Sequence, residues 1–224
     1  QQPAPKSNHT GELIMHIYKT TAENGTASYE IQKSRFIAYT SHVETEAEAR
    51  DFVTAIKKKH FDARHNCSAW VLGADSSQQK SNDDGEPGGT AGNPILEAIK
   101  QHGLTNVVVV VTRYFGGIKL GAGGLIRAYS HTASLGLEAT PCVEVKPFCL
   151  MEAEMDYSLL GTVENWIRNE ELRTGETAYL DKVTVRLLVE PADCEAISTE
   201  LTNLTAAQCK ITIHKPEYMS LPIV

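Results

Sequence analysis

The stretch Asn106-Val-Val-Val-Val-Val-Thr-Arg-Tyr-Phe-Gly-Gly-Ile-Lys-Leu-Gly-Ala-Gly-Gly-Leu-Ile-Arg-Ala-Tyr-Ser130 decides the fold of the first half of the chain. The valines Val107–Val111 run without polar alternation, which predicts a strand buried on both faces. Five of the nine residues from 116 to 124 are glycine, and a helix is predicted to follow Gly124 and to end near Ala139. Glycines between a strand and a helix allow positive φ angles and let a ligand approach the backbone closely.

The glycine-rich turn predicts an anion-binding site, because free N–H groups at a helix start favour negative charge. The candidate residues are Arg113, Tyr114, Phe115, Gly116, Gly117, Lys119, Gly121 and Arg127. The turn is not a dinucleotide fingerprint, because Ile126 stands where the last glycine would be, and it is not a P-loop. The alternative is that the glycines serve only a tight crossover and close helix packing.

Three further cations precede this stretch. Lys33 and Arg35 interrupt the strand-like segment Tyr29–Tyr39, and Arg64 precedes a predicted strand, Ala69–Leu72. Each of them either extends a basic surface or lies on a solvated face.

A histidine and a cysteine at the start of the same predicted strand invite a catalytic interpretation. His65 and Cys67 would share one face of the strand and Asn66 would lie on the other. No acid that could orient the histidine is identifiable, so catalysis is not predicted there and the three residues remain accessory candidates.

A polar loop predicted from Ser76 to Gly92 carries the acids Asp83, Asp84 and Glu86. Three carboxylates so close together could bind Mg²⁺, although their spacing is not that of an EF-hand. The interpretation favoured here is that they bond to backbone amides or face nearby arginines, and no metal site is predicted. A pair between Arg113 and one of these acids would join the two loops and make the whole cluster structural.

Composition and charge indicate an ordinary globular protein of 224 residues, 42% of them hydrophobic, with a net charge of −7. Residues 141–224 hold 7 Lys+Arg against 14 Asp+Glu, whereas residues 1–140 hold 14 of each, so phosphate binding is expected in the first half. The five scattered cysteines lack CxxC spacing, so neither a zinc site nor a disulfide framework is predicted. No segment predicts a membrane span or a signal peptide, and the expected location is the cytoplasm. Whether Gln1 or Met15 is the native start stays open.

The remaining pattern predicts two domains that meet at Thr140-Pro141. Residues 1–27 are expected to be loose apart from a short strand at Leu13–Tyr18, and Thr45–His60 is a predicted helix whose Thr45 and Glu48 form a capping box. A further helix is predicted from Pro94 to His102. After the boundary the predicted order is β-α-β-β-α-β, the ferredoxin-like order, with strand Phe148–Tyr157, helix Ser158–Asn169, a hairpin of Thr174–Leu180 and Lys182–Val189, helix Ala192–Leu204, strand Gln208–His214 and a tail from Met219.

Four motifs in order make the chain resemble the YigZ/IMPACT family: Lys33-Ser-Arg-Phe-Ile-Ala38, Ala63-Arg-His-Asn-Cys-Ser-Ala69, Asp83-Asp-Gly-Glu-Pro-Gly-Gly-Thr-Ala-Gly92 and Arg113-Tyr-Phe-Gly-Gly-Ile-Lys-Leu-Gly121. The resemblance implies an α+β protein in which residues 1–141 have the fold of ribosomal protein S5 domain 2. Residues 142–218 would be ferredoxin-like, similar to the last domain of elongation factor G. Eukaryotic relatives carry an added RWD module and bind the ribosome-associated activator of an amino-acid-starvation kinase, and this chain is expected to lack room for that module. The family has no agreed enzymatic activity.

The leading functional hypothesis is therefore a non-enzymatic, translation-associated regulatory protein that binds RNA, the ribosome or a ribosome-bound factor, with no cofactor. The first alternative is an enzyme acting on a phosphorylated small molecule or nucleotide, in which the acidic loop would hold Mg²⁺. The second is a protein-interaction module that uses the acidic second domain. The sequence leaves the partner and the oligomeric state open.

Overall fold

The computed structural model describes residues 15–223, which divide into two compact units. One unit extends to Val145 and includes the residues from Ser220 onward, and the other is Lys146–Met219. The division falls inside a long strand, four residues after the predicted boundary at Pro141. No helix in the part of the chain that the structure describes is both long enough and apolar enough to cross a membrane.

The first unit contains a five-stranded sheet and three helices. Its elements are β1 (Tyr18–Thr21), β2 (Gly25–Ile31), β3 (Ser34–His42), α1 (Glu46–Lys59), β4 (His65–Leu72), β5 (Gln78–Asn82), α2 (Gly92–Gln101), β6 (Val107–Tyr114) and α3 (Gly121–Glu138). The sheet has the order β2-β3-β6-β4-β5, with every neighbouring pair antiparallel. β1 lies outside this sheet and pairs with the first residues of β7 (Cys142–Met155).

The predicted buried strand is confirmed, and β6 is the central strand of the sheet. All five valines, Val107–Val111, are fully buried. Val107, Val109 and Val111 pack with residues of α2 and α3, while Val108 and Val110 pack on the side of α1. Helices on both faces of the sheet thus explain the absence of polar alternation.

The capping box of α1 is also confirmed. Thr45 Oγ1 accepts the backbone N–H of Glu48, and the Glu48 carboxylate accepts the N–H of Thr45. Two donors that the helix start leaves unpaired are thereby satisfied.

The structure corrects three predictions about local structure in the first unit. Residues 18–27 are not loose, because β1 and the start of β2 occupy them, and Thr20 Oγ1 donates to the Asn106 carbonyl oxygen at 3.1 Å. The predicted loop after Ser76 contains the exposed edge strand β5, whose polar sequence concealed it. Part of the strand predicted at 13–18 lies outside the described residues, and β1 begins at Tyr18.

Besides the corrections to residues 18–27 and to β5, the structure corrects the start of the helix after the glycines. This helix begins at Gly121 and not after Gly124. Gly123 and Gly124 of its first turn are therefore helical, whereas Gly121 at its start has a positive φ of 71°. Glycine disfavours a helix by about 1 kcal/mol relative to alanine, and burial of Leu125 and Tyr129 offsets that here.

The second unit is built on the later part of β7. Its other elements are α4 (Tyr157–Asn169), β8 (Ala178–Tyr179), β9 (Val183–Val189), α5 (Cys194–Leu204) and β10 (Lys210–Ile213), and β11 (Glu217–Pro222) follows and pairs with β7. The strands have the order β10-β7-β9-β8 and are antiparallel. This agrees with the predicted β-α-β-β-α-β order, although β8 is shorter than predicted. The predicted tail from Met219 is wrong, because those residues belong to β11.

Candidate functional site

The last two residues of β6 face opposite sides of the sheet. Arg113 lies on the side of α3, with its guanidinium carbon 5.5 Å from the ring centroids of both Phe36 and Phe115. Tyr114 lies on the side of α1, where its hydroxyl bonds to His60 at 2.8 Å. The residues that the sequence grouped into one basic and aromatic site therefore divide between two faces.

Arg113 is committed to an internal partner. Its Nη1 donates to Glu86 Oε1 at 2.7 Å, and the two side chains are only 7% and 3% exposed. Tyr129 of α3 donates its hydroxyl to the same carboxylate oxygen at 2.7 Å. We therefore assign Arg113 a structural role in place of the anion-binding role that the sequence predicted, because its charge is already matched inside the protein.

The acids of the loop before α2 are bound by the protein itself. Asp83 accepts backbone N–H groups of Gly89, Ala91 and Gly92 at 2.8, 3.0 and 2.8 Å. Burial acts to raise the pKa of Asp83, but these three N–H groups hold the pKa below its ordinary value. Within residues 15–223, no group of three His, Cys, Asp or Glu side chains is placed to hold a metal ion.

Asp84 ties the same loop to α1 and β4. Its carboxylate pairs with Lys57 and accepts the backbone N–H of Asn66 at 2.8 Å. The interpretation of the acids as structural residues thus describes Asp83, Asp84 and Glu86 alike.

The accessory candidates of β4 also contribute to this part of the structure, and two of them bond to the acidic loop, the segment between β5 and α2. His65 Nδ1 lies 3.0 Å from the Asp84 carbonyl oxygen, so Nδ1 carries the proton and donates, and the Asn66 amide oxygen accepts from the Thr112 hydroxyl at 2.7 Å. Cys67 is fully buried, its thiol donates to the Asp83 carbonyl oxygen, and burial raises its pKa to about 12. Because the thiolate is the nucleophilic form, a thiol with so high a pKa is not expected to act as a nucleophile at neutral pH.

The exposed part of the predicted site is the loop between β6 and α3 with the first turns of that helix. Phe115, Ile118 and Ile126 are 52%, 44% and 43% exposed. The backbone is positive in φ at Gly117 and Gly121, and a Cβ atom at either position would meet open space. We call Phe115, Gly117, Ile118, Lys119, Gly121, Ile126 and Arg127 the glycine-loop surface.

Gly116 joins this loop to the turn between β2 and β3. A Cβ atom there would lie 2.0 Å from the backbone carbonyl of Lys33, and the Gly116 N–H donates to the Ser34 hydroxyl. At Gly116 the glycine is therefore required for close packing, which is the alternative to anion binding given above. The contact also places the exposed Lys33 at the glycine loop.

The glycine-loop surface is basic and its backbone donors are not capped by a side chain. No side-chain hydrogen bond caps α3, an 18-residue helix. Lys119 and Arg127 are exposed, and neither forms an ion pair with any residue that the structure describes. The sequence from Phe115 to Leu137 contains no acid. The surface can therefore accept an anion.

A groove of about 350 Å³ extends this surface between β2 and α3. Arg127 lines it together with residues that the sequence did not suggest, among them Tyr29, Gln32 and His131. The rings of Tyr29 and His131 are 4.7 Å apart and nearly perpendicular. Tyr29 and Gln32 are distant in sequence from the glycines, and only the packing of α3 against β2, which places His131 beside Tyr29, would have indicated the groove.

The structure does not bring every predicted cation to the glycine-loop surface. Arg35 pairs in register with Tyr114 and lines a cavity on the side of α1. Arg64 is exposed just before β4.

Two protein-family domains and several known proteins are similar to this chain. Residues 32–137 match the Impact N-terminal domain, and residues 154–208 match a domain of unknown function, DUF1949. The IMPACT family member YvyE of Bacillus subtilis is 46% identical over 198 residues, which cover 88% of this chain and 91% of that protein. The chain belongs to the IMPACT family. The resemblance indicated by the four sequence motifs is thus confirmed.

Other IMPACT family members are similar over most or part of the chain. YigZ of Escherichia coli is 34% identical over 83% of this chain and 92% of its own. The Protein IMPACT homolog of Saccharomyces cerevisiae is 39% identical over 52% of this chain and 46% of its own. A crystal structure described as that of a hypothetical protein is 32% identical with a TM-score of 0.59, and it covers 88% of this chain and 97% of that one. The Impact N-terminal domain match contains both the glycine-loop surface and the acidic loop.

Proposed function

We propose that this IMPACT family chain is a non-enzymatic regulator of translation that binds RNA, the ribosome or a ribosome-bound factor through the glycine-loop surface. The observation that carries the proposal is the uncapped start of α3 beside Lys119 and Arg127, which are exposed and unpaired among the described residues. Backbone N–H groups, lysine and arginine are the groups that proteins use to hold phosphates. The half-exposed ring of Phe115 can stack on an unpaired base.

Two structural assignments accompany the proposal. We assign the first unit to the ribosomal protein S5 domain 2-like fold and the second to the ferredoxin-like fold. The strand order β10-β7-β9-β8 supports the second assignment. A ribosome-binding role also implies that the protein works in the cytoplasm.

Sedimentation with ribosomes at increasing salt concentration tests the proposal. The double variant Lys119→Gln/Arg127→Gln is compared with Arg168→Gln/Lys215→Gln, which removes the same charge from exposed positions of the second unit. We expect the plot of the logarithm of the binding constant against the logarithm of the salt concentration to be less steep for the first variant, by about 1 to 2. The reason is that each lost phosphate contact removes one released counterion. Wild-type protein that fails to sediment with ribosomes at low salt, or equal losses in both variants, would refute the proposal.

The enzymatic alternative has less support from the geometry. It required the acidic loop to hold Mg²⁺, but both Asp83 oxygens accept backbone N–H groups and Glu86 binds Arg113 and Tyr129. A thermal-shift series with nucleotides and Mg²⁺ tests it directly. A ligand that binds only the folded state raises the Tm, and the enzymatic alternative fails if no nucleotide does so.

A further inference from the structure

A second concave site lies on the face of the sheet that α1 only partly covers. The cavity measures about 400 Å³ and opens beside the C-terminal end of that helix. The polar residues that line it are Thr26, Ser28, Arg35, Tyr39, His60 and Tyr114. They come from β2, β3, β6 and the residue that ends α1, so regular elements hold each of them in place.

A chain of hydrogen bonds forms one wall of the cavity, and its direction can be deduced. Tyr114 donates its hydroxyl to the Asp62 carboxylate at 2.9 Å, so its oxygen accepts from His60 Nδ1 at 2.8 Å. Because Nδ1 carries the proton of a neutral imidazole, Nε2 accepts from the Tyr39 hydroxyl, 2.6 Å away. The Tyr39 hydroxyl hydrogen is therefore held by His60 and is not offered to the cavity.

The charge in the cavity is positive. Arg35 is exposed and forms no ion pair with any residue between 15 and 223, and no carboxylate lines the cavity. Glu30 stands across from Arg35 in the pairing of β2 with β3 without reaching ion-pair distance. Lys59 lies 4.6 Å from the centroid of the Tyr39 ring. The nearby acid, Asp62, already accepts the Tyr114 hydroxyl.

We propose that this cavity binds the phosphate group of a nucleotide, free or within single-stranded RNA, and that His60 takes up one proton when the phosphate binds. Arg35 supplies the fixed charge, and the Ser28 and Thr26 hydroxyls are additional donors. When a solvent proton adds to His60 Nε2, that nitrogen becomes a donor to the Tyr39 oxygen. The Tyr39 hydroxyl hydrogen then turns to a phosphate oxygen. The proton comes from a hydronium ion, which becomes water, and no other covalent bond forms or breaks.

The surroundings of His60 favour the neutral imidazole in the absence of an anion. Burial lowers the pKa of His60, the charges of Lys59 and Arg35 lower it further, and Asp62 acts in the opposite direction. Tyr39 and Tyr114 contribute hydroxyl groups on the two sides of the ring. A phosphate beside Arg35 offsets that cation and so favours the charged imidazole.

The experiment follows the imidazole Cε1–H signal of His60 by NMR, identified by its loss in His60→Gln. The probes are inorganic phosphate, AMP and a single-stranded RNA octamer, each titrated at several pH values. We expect a saturable shift of the His60 signal and a higher His60 pKa in the presence of phosphate. Arg35→Gln, at an exposed position, should weaken binding about tenfold or more, because it removes a charge-assisted hydrogen bond. Tyr39→Phe should reduce the pH dependence of binding.

The controls separate this site from the glycine-loop surface, on which the inference does not rest. Arg168→Gln, an exposed arginine of the second unit, should titrate like wild type. Lys119→Gln/Arg127→Gln should weaken ribosome binding and leave the His60 titration unchanged. Tighter binding of AMP than of the octamer identifies a free nucleotide as the ligand, and the reverse identifies RNA. The inference is overturned if none of the three probes shifts the His60 signal saturably, or if Arg35→Gln binds them as wild type does.

Discussion

Arg113 donates to Glu86 at 2.7 Å in a place that solvent hardly reaches, and this contact joins the end of β6 to the loop before α2. Removal of one partner leaves the other charge buried without a counterion, which destabilises proteins by about 3 to 5 kcal/mol. We therefore expect Glu86→Ala to lower the free energy of unfolding by about that amount in a urea titration. The double variant Glu86→Gln/Arg113→Met should recover part of the loss, because it buries no unpaired charge.

The control for this prediction is Glu97→Ala. Glu97 pairs with Lys100 at 2.8 Å on the exposed side of α2, where such a pair contributes about 0 to 1 kcal/mol. If Glu86→Ala and Glu97→Ala unfold at the same urea concentration, the pair of Glu86 with Arg113 does not stabilise the fold as argued.

Substitution by alanine should change the stability of the protein in opposite directions at Gly116 and at Gly161. A methyl group at Gly116 would collide with the Lys33 backbone, so Gly116→Ala should destabilise the protein by about 1 to 3 kcal/mol. Gly161 lies inside α4 with open space at its Cβ position, so Gly161→Ala should stabilise by about 0.5 to 1 kcal/mol. Thermal unfolding of the two variants checks the signs, and a stabilised Gly116→Ala variant would contradict the close contact.

Cys67 should resist alkylation in the native protein. Its thiol is fully buried and has a pKa of about 12, so almost none of it is thiolate at pH 8. Mass spectrometry after iodoacetamide treatment should find Cys67 unmodified until denaturant is added, whereas the half-buried Cys142 serves as a more accessible reference. Rapid native labelling of Cys67 would show that the acidic loop opens easily.

His60 should make the protein less stable in mild acid. Its pKa is lowered on folding from an ordinary value of 6.5, so the unfolded chain binds the proton more readily than the folded one. The contribution of His60 is fully present above about pH 6.5 and is lost as the pH falls toward the folded pKa. We expect the Tm of wild type to fall more steeply between pH 7 and pH 5 than that of His60→Gln. Parallel profiles would mean that His60 titrates alike in both states.

The sequence predicted those elements whose local pattern agrees with their surroundings. Val107–Val111 and the capping box of Thr45 and Glu48 are examples, because burial on two faces and helix capping leave direct marks in the sequence. It missed β5, since an exposed edge strand needs no apolar face. It also placed the start of α3 too late, because glycine's weak helix propensity was overridden by the packing of Leu125 and Tyr129.

The candidate site was predicted less completely, because contacts between distant residues decide it. The sequence offered both an external and an internal role for Arg113, and only the fold brings Glu86 and Tyr129 to it. Arg35 and Tyr114 were predicted as candidates for one anion-binding site, but the cavity that they line was not predicted, since residues from β2, β3, β6 and the end of α1 form it. Lys119 and Arg127 keep the predicted exposure, and their role stays a proposal.

Because Arg113 and Tyr114 face opposite sides of the sheet, both sites depend on the register of β6. A one-residue insertion or deletion within the valine run would rotate every later side chain of the strand by half a turn. After a one-residue insertion, Thr112 would replace Arg113 as the neighbour of Glu86, and the Arg113 guanidinium would take the place of Tyr114 in the cavity beside His60. Such an insertion would thus remove the counterion of Glu86 and add a cation to the second site at the same time. A change of register in β6 therefore alters both faces of the sheet together.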